Sequence, residues 1–172
     1  TRVRRLACLR SFGRYATSQG WLKDNVALDL DAPKLWQQLP EVVSPQGIRD
    51  ILRVTAQSKV PQRDRAIIEM LYGLGLRVSE LTGMTMASLR REEGLLHVKG
   101  KGDKERMVPV GDMALDALDA YLKNERPALV QKGGVTPQVW LGLRGRPIDR
   151  KSVYHVLRTL GKQAGIEKLH PH

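Results

Sequence analysis

Apolar residues recur at helical spacing along most of this chain, and short alternating runs interrupt them only near its middle. Val3, Leu6, Ala7, Phe12, Tyr15 and Ala16 predict a helix over residues 1–20, with Gly20 as its C-cap. Residues 21–31 read as a turn and a short irregular piece. Residues 31–45 hold Pro33, Pro40 and Pro45 without any apolar period, which predicts an extended linker. Ser44 then caps a helix that starts at Pro45 and carries Ile48, Ile51, Leu52 and Thr55. A stronger amphipathic helix over 61–74 carries Ala66, Ile67, Met70, Leu71 and Leu74. Gly73 and Gly75 allow a sharp change of direction before a new helix over 77–84. Residues 95–98 and 106–110 predict two short strands, joined by the turn-forming run Lys99-Gly100-Lys101-Gly102-Asp103-Lys104-Glu105. A helix over 112–126 turns Met113, Leu115, Leu118, Tyr121 and Leu122 to a core and is expected to stop at Pro127. Residues 131–137 read as loop, Val139-Trp140-Leu141 as a short buried piece. Asp149 caps a last helix that turns Val153, Val156, Leu157 and Leu160 inward and ends before Gly165. The expected fold is mainly α with a small β-hairpin or sheet, an α+β class. We place the domains at 1–32 and 45–172, with 33–44 as linker.

Charge narrows the function classes. The chain has 172 residues, with 29 Lys and Arg against 18 Asp and Glu, a net charge of +11. That excess favours a polyanionic partner, nucleic acid above all, over an ordinary basic protein without one. Aromatic residues make up 5%, too few for platforms that stack single-stranded bases. No run is long and apolar enough to cross a membrane, and no membrane partner is expected. The single cysteine, Cys8, lies on an apolar helical face and reads as a buried structural thiol.

The candidate chemistry centres on Arg77 and Glu80, one helical turn apart where the 77–84 helix begins. An arginine fixed there suits a phosphate, because its planar fork matches phosphate oxygens; a surface ion pair is the plainer alternative. Lys101 sits in the glycine-rich turn, either as a basic finger that reaches a phosphate or as a soluble turn lysine. The turn is not a Walker loop, since its glycine spacing is wrong and no Ser or Thr follows the lysine. His170 and His172 lack the Cys or acidic neighbours a metal site needs, so no metal is expected; a titratable group beside a phosphate suits them better. Arg4, Arg5 and Arg10 on the first helix, Lys99, Lys104 and Arg106 at the turn, and Arg144, Arg150 and Lys151 near the last helix are candidate DNA contacts. Solvated faces are the alternative for each; they explain the first-helix arginines equally well and the turn better, whereas the net charge favours the DNA reading for the last segment.

Arg63-Asp64-Arg65-Ala66 together with Tyr72-Gly73-Leu74-Gly75-Leu76-Arg77-Val78-Ser79-Glu80-Leu81 resembles the first conserved box of the tyrosine recombinases. The run from Val98 to Arg106 is similar to the lysine-bearing hairpin of that family, and His170-Pro171-His172 to the opening of its second box. Residues 1–39 resemble the last helix and linker of the family's N-terminal DNA-clamping, or core-binding, domain, so the likeness covers essentially the whole chain. The Xer subgroup, which resolves chromosome dimers, is the nearest in kind.

The resemblance implies a site-specific recombinase that cuts and rejoins DNA through a 3′-phosphotyrosyl link and a free 5′-hydroxyl, with neither ATP nor a metal. Arg77 would hold the scissile phosphate and stabilise its transition state, and Lys101 would protonate the leaving 5′-oxygen. His172 would contact the phosphate and assist proton transfer, and Glu80 would orient Arg77. Partners would be a duplex recombination site and related subunits in a homo- or hetero-tetramer, in the bacterial cytoplasm at the nucleoid. The family's second arginine and nucleophilic tyrosine are expected beyond His172, in a longer protein. Tyr15, Tyr72, Tyr121 and Tyr154 suit helical or core roles, so the nucleophile is expected to be none of them and the segment alone to be inactive. A phage or mobile-element integrase of the same family, and a non-catalytic DNA-binding protein, are the alternatives.

Overall fold

The structure is a computed structural model that describes residues 2–31, 43–166 and 169, with Lys101 described by its backbone. The chain divides into two compact units, Thr1–Pro40 and Glu41–His172.

The first unit is built on helix α1 (Arg2–Ser18). Gly20, at φ +74°, turns the chain so that the Trp21 N–H returns to the Ala16 carbonyl at 2.9 Å. A single 3-10 turn, Val26–Leu28, follows, capped by Asn25. Arg10 straps this turn to α1, donating from Nε to the Ala27 carbonyl (3.1 Å) and from a terminal nitrogen to the Leu30 carbonyl (2.7 Å). Gly13 and Ala16 are the buried positions of the helix. Cys8 is exposed, contrary to the buried thiol expected, and Phe12 and Tyr15 are more than half exposed. Among the described residues of this unit, the element packed on α1 is the short 3-10 turn, and burial along the helix is confined to Gly13 and Ala16.

The second unit begins with helix α2 (Pro45–Val54), where the Ser44 hydroxyl accepts the Gly47 N–H at 3.1 Å. Helix α3 (Pro61–Leu74) is the central element. Its Ala66, Ile67 and Met70 are fully buried, each of the larger two contributing about 1.5–3 kcal/mol through the apolar surface removed from water. Gly75, at φ +60°, ends α3 in the left-handed conformation and hands the chain to the short helix α4 (Val78–Thr82). Three antiparallel strands follow in the order β1 (Leu89–Arg90), β2 (Leu95–Lys99), β3 (Glu105–Pro109). The β2–β3 pair matches the expected hairpin, with Val98 opposite Arg106; β1, two residues long, carries too little pattern to be read from sequence.

Helix α5 (Asp112–Ala120) packs on α3 and then widens into a π-helical turn, Tyr121–Glu125, that runs into α6 (Arg126–Gly133). Pro127 therefore does not stop the helix, and much of the loop expected over 131–137 is helical to Gly133. A proline lacks the N–H that a helix interior needs, but the first turn of a new helix needs none. Here the Arg126 N–H donates five residues back, to the Tyr121 carbonyl, which leaves Pro127 in the first turn of α6. Met113, expected inward, is 64% exposed because the buried side of α5 runs through Ala114, Ala117 and Leu118.

Tyr121 and Trp140 stack at 5.6 Å between ring centroids and lie at the centre of the core. The Tyr121 hydroxyl donates to the Val139 carbonyl (3.1 Å) and accepts the Leu141 N–H (3.0 Å), pinning the buried 139–141 segment. Helix α7 (Arg150–Gln163) is capped by Asp149, packs on α2 and α4, and ends short of Gly165, as its pattern predicts.

Candidate active site

Arg77 is placed by its neighbours in the chain. Leu76 and Val78 are both buried and anchor the backbone on either side, while the Arg77 side chain stands 67% exposed. Arg77 is the N-cap residue of α4, with extended backbone at φ −71° and ψ 148°. The helix turns Glu80 back under it. One Glu80 carboxylate oxygen accepts the Arg77 backbone N–H at 2.8 Å, and the other accepts its guanidinium at 3.1 Å. This is one half of the reciprocal arrangement found at helix starts: the acid accepts the N-cap N–H, while the arginine side chain, which has no acceptor, adds a second donor to the same carboxylate.

The same carboxylate holds a second arginine. Arg106 of β3 donates from both terminal nitrogens to the two Glu80 oxygens, at 2.7 and 2.9 Å. The Glu80 side chain is only 2% exposed, and Arg106 40%. The Arg106 hydrogen bonds, aided by the backbone N–H and guanidinium of Arg77, outweigh burial and hold the Glu80 carboxyl down at about 2. The fork contact in turn pushes the Arg106 guanidinium up. Two guanidinium charges against one carboxylate leave the cluster net positive, with Arg77 the more solvent-facing of the pair. Such a cluster can take one anionic oxygen group at Arg77 without first breaking the support beneath it.

The lysine-bearing turn begins on this cluster. The Gly100 N–H donates to the Lys104 carbonyl at 2.8 Å and closes the loop, and Gly102 and Asp103 take positive φ, at 73° and 58°. A Cβ added at Gly100 would stand 3.4 Å from a Glu80 carboxylate oxygen and 3.6 Å from an Arg106 nitrogen. The backbone that leads into Lys101 thus lies against the Glu80–Arg106 pair. The Lys101 side chain and His172 lie outside the described residues.

The remaining predicted contacts scatter. Arg4 and Arg5 are exposed on α1, whereas Arg10 is the internal strap already described. Lys99 and Lys104 are exposed beside the turn, and Lys99 pairs with Asp103 at 3.1 Å. Arg150 is exposed at the start of α7. Arg144 and Lys151 line an open groove of about 550 Å³ together with Arg146 and His155. His155 was not singled out from sequence, although it falls four residues after Lys151 and so on the same helical face. Arg106 differs from its expectation most: its fork is engaged by Glu80. Periodicity could not reveal this, because the partners lie 26 residues apart on different elements.

The second unit is helical with a three-stranded sheet, and at the junction of α4 and the β2–β3 hairpin it carries a net-positive cluster of two arginines on one buried carboxylate, able to hold an anionic oxygen group. The family model described as the phage integrase family matches residues 41–172, and the chain belongs to that family, the tyrosine recombinases. It is 39% identical to the tyrosine recombinase XerD of Proteus mirabilis, over 99% of this chain and 55% of that protein. It is 34% identical to the tyrosine recombinase XerD of Staphylococcus aureus, over 99% of this chain and 58% of that one. The chain therefore spans just over half the length of these relatives. Among solved structures, that of XerA recombinase is similar at a TM-score of 0.66 and 28% identity, covering 85% of this chain and 52% of that one. A lambda integrase dimer bound to a core site shares the fold at a TM-score of 0.67 and 18% identity, covering 93% of this chain and 56% of that one.

Proposed function

We propose that this chain is part of a site-specific recombinase of the Xer kind, which cuts and rejoins duplex DNA through a 3′-phosphotyrosyl intermediate. The observation that carries the reading is the Glu80 carboxylate, which holds Arg77 outward from one side and meets the backbone of the Lys101 turn on the other. Arg77 binds the scissile phosphate and stabilises the charge that gathers on its oxygens in the transition state. A tyrosine hydroxyl attacks phosphorus, the bond to the 5′-oxygen breaks, and Lys101 gives that oxygen its proton. His172 contacts the phosphate and assists removal of the tyrosine proton. The bond energy is kept in the phosphotyrosyl link, so a free 5′-hydroxyl on the partner strand can reverse the step.

The attacking tyrosine is not Tyr121, whose hydroxyl is locked in the core and pushed up by burial. Nor do we assign the role to Tyr15, Tyr72 or Tyr154, which stand on helices and more than a third exposed. The exposed basic residues Arg4, Arg5, Lys99, Lys104, Arg144, Arg150 and Lys151 serve the duplex backbone. The partners are a duplex recombination site and sister or related recombinase subunits, two duplexes to a tetramer, in the bacterial cytoplasm at the nucleoid. Identity to XerD proteins across nearly the whole chain favours chromosome-dimer resolution over integration of a mobile element.

The test uses the full-length protein and a suicide substrate that traps the covalent intermediate. Arg77→Ala is expected to abolish adduct formation while DNA binding persists, and the 172-residue chain alone to bind weakly and form no adduct. A full-length wild-type protein that binds DNA but never cleaves it would support the plain DNA-binding alternative instead.

A further inference from the structure

Arg106 combines three features that a surface DNA contact does not need. Both of its terminal nitrogens are committed to a carboxylate whose side chain is 2% exposed. That carboxylate also holds the backbone and side chain of Arg77. Gly100, one residue before Lys101, lies beside the same pair: a carbon added on its Cα would come to 3.4 Å from a Glu80 oxygen and 3.6 Å from an Arg106 nitrogen. The β2–β3 hairpin also meets the core through Leu96 and through Val98, which pairs with Arg106 across the strands, so the core holds the hairpin up to Val98 but not beyond it. At the tip itself, the turn carries two consecutive residues at positive φ and is closed by the Gly100–Lys104 hydrogen bond and by the exposed Lys99–Asp103 ion pair.

We propose that Arg106 is a positioning residue that bolts the lysine-bearing hairpin to α4 through Glu80. It sets the backbone of Lys101 at a fixed place relative to Arg77. By sharing Glu80 it also keeps that carboxylate from closing onto Arg77 as a full fork pair, so the Arg77 charge stays available for a phosphate. A general acid works only within hydrogen-bond reach of the oxygen it protonates, and a loss of about 1 Å in placement can cost about a hundredfold in rate. This role rests on the recombinase reading above and adds a residue to it.

The experiment compares wild-type full-length protein with Arg106→Ala and Arg106→Lys on two suicide substrates. One has the natural 5′-oxygen at the scissile bond and the other has sulfur in its place. A thiolate leaves without a proton donor, so the sulfur substrate bypasses the general acid. Arg106→Ala is expected to cleave the oxygen substrate about a hundredfold slower, with DNA affinity within about threefold of wild type, and to recover most of that loss on the sulfur substrate. Arg106→Lys, which keeps the charge but cannot make the fork, is expected to repair the loss only in part. Equal losses on both substrates, or a fall in affinity with a shallower salt dependence, would overturn the proposal and make Arg106 a structural or phosphate-contact residue. Amide exchange over residues 100–104 gives a second reading that needs no cleavage. It should quicken in Arg106→Ala and in Glu80→Gln, and unchanged exchange in a folded variant would also overturn the proposal. A wild-type protein that cleaves neither substrate would fail the recombinase reading, while the exchange measurement would still decide the bolt.

Discussion

Glu80 and Arg77 meet twice across a single helical turn, through the Arg77 backbone N–H at 2.8 Å and its guanidinium at 3.1 Å. The buried carboxylate is thereby committed to its charged form, and stability becomes dependent on pH. Its pKa falls from an ordinary 4.5 to about 2, chiefly through Arg106. A depressed folded-state value stabilises the fold above the unfolded value, and the gain is lost as pH falls through the folded one. Wild type is expected to exceed Glu80→Gln in stability by at most about 3 kcal/mol at neutral pH. The difference should shrink as pH drops from 4.5 towards 2. Denaturant unfolding of both proteins at a series of pH values checks it; a difference that stays constant to pH 2 would contradict the assignment.

Tyr121 joins α5 to the buried 139–141 segment through one hydroxyl that both donates and accepts. Tyr121→Phe keeps the stack on Trp140 and strands the Leu141 N–H inside the core. The expected cost is about 1–3 kcal/mol, read as a lowered unfolding midpoint with an unchanged denaturant slope. Because burial raises this phenol, it is also expected to resist ionisation in the alkaline range where exposed tyrosines titrate, which ultraviolet difference spectra would show.

Arg63 and Asp64 form an ion pair at 2.6 Å with side chains 8% and 6% exposed, and Arg63 also donates to the Leu141 carbonyl at 2.9 Å. Removing one partner alone, as in Asp64→Leu or Arg63→Met, leaves an unpaired buried charge and is expected to cost about 3–5 kcal/mol. The double variant should recover a large part of that loss. Thermal unfolding of the two single variants and the double variant checks this, and strict additivity would show that the pair is not a coupled unit.

Local chemistry made much of the molecule legible in its sequence. Ser44, Pro45, Gly75 and Asp149 act within one turn of the residues they serve, and each stands at the helix end that its type predicts. The spacing of Arg77 and Glu80 is also a one-turn relation, so the heart of the candidate site could be read directly. The family resemblance rested on the same short runs.

Long-range contacts decided the rest. Nothing near Pro127 in the chain signals that a π turn will carry the helix past it, because that turn is held by Tyr121 in the core and by Glu125. The Glu125 carboxylate accepts the Gln62 and Arg63 N–H groups at 2.9 Å, more than sixty residues away. Cys8 has an apolar pattern around it, so pattern alone placed it inside, yet it stands exposed among the described residues. Arg106 reads from sequence as one more cation in a basic turn. Only the fold brings it to Glu80 and turns a candidate DNA contact into the partner of a buried carboxylate. Sequence determines which turns, caps and apolar stripes form, since those depend on neighbours in the chain. Which cations face solvent and which are bound beneath the site depends on how separate elements meet, and only the tertiary structure decided that.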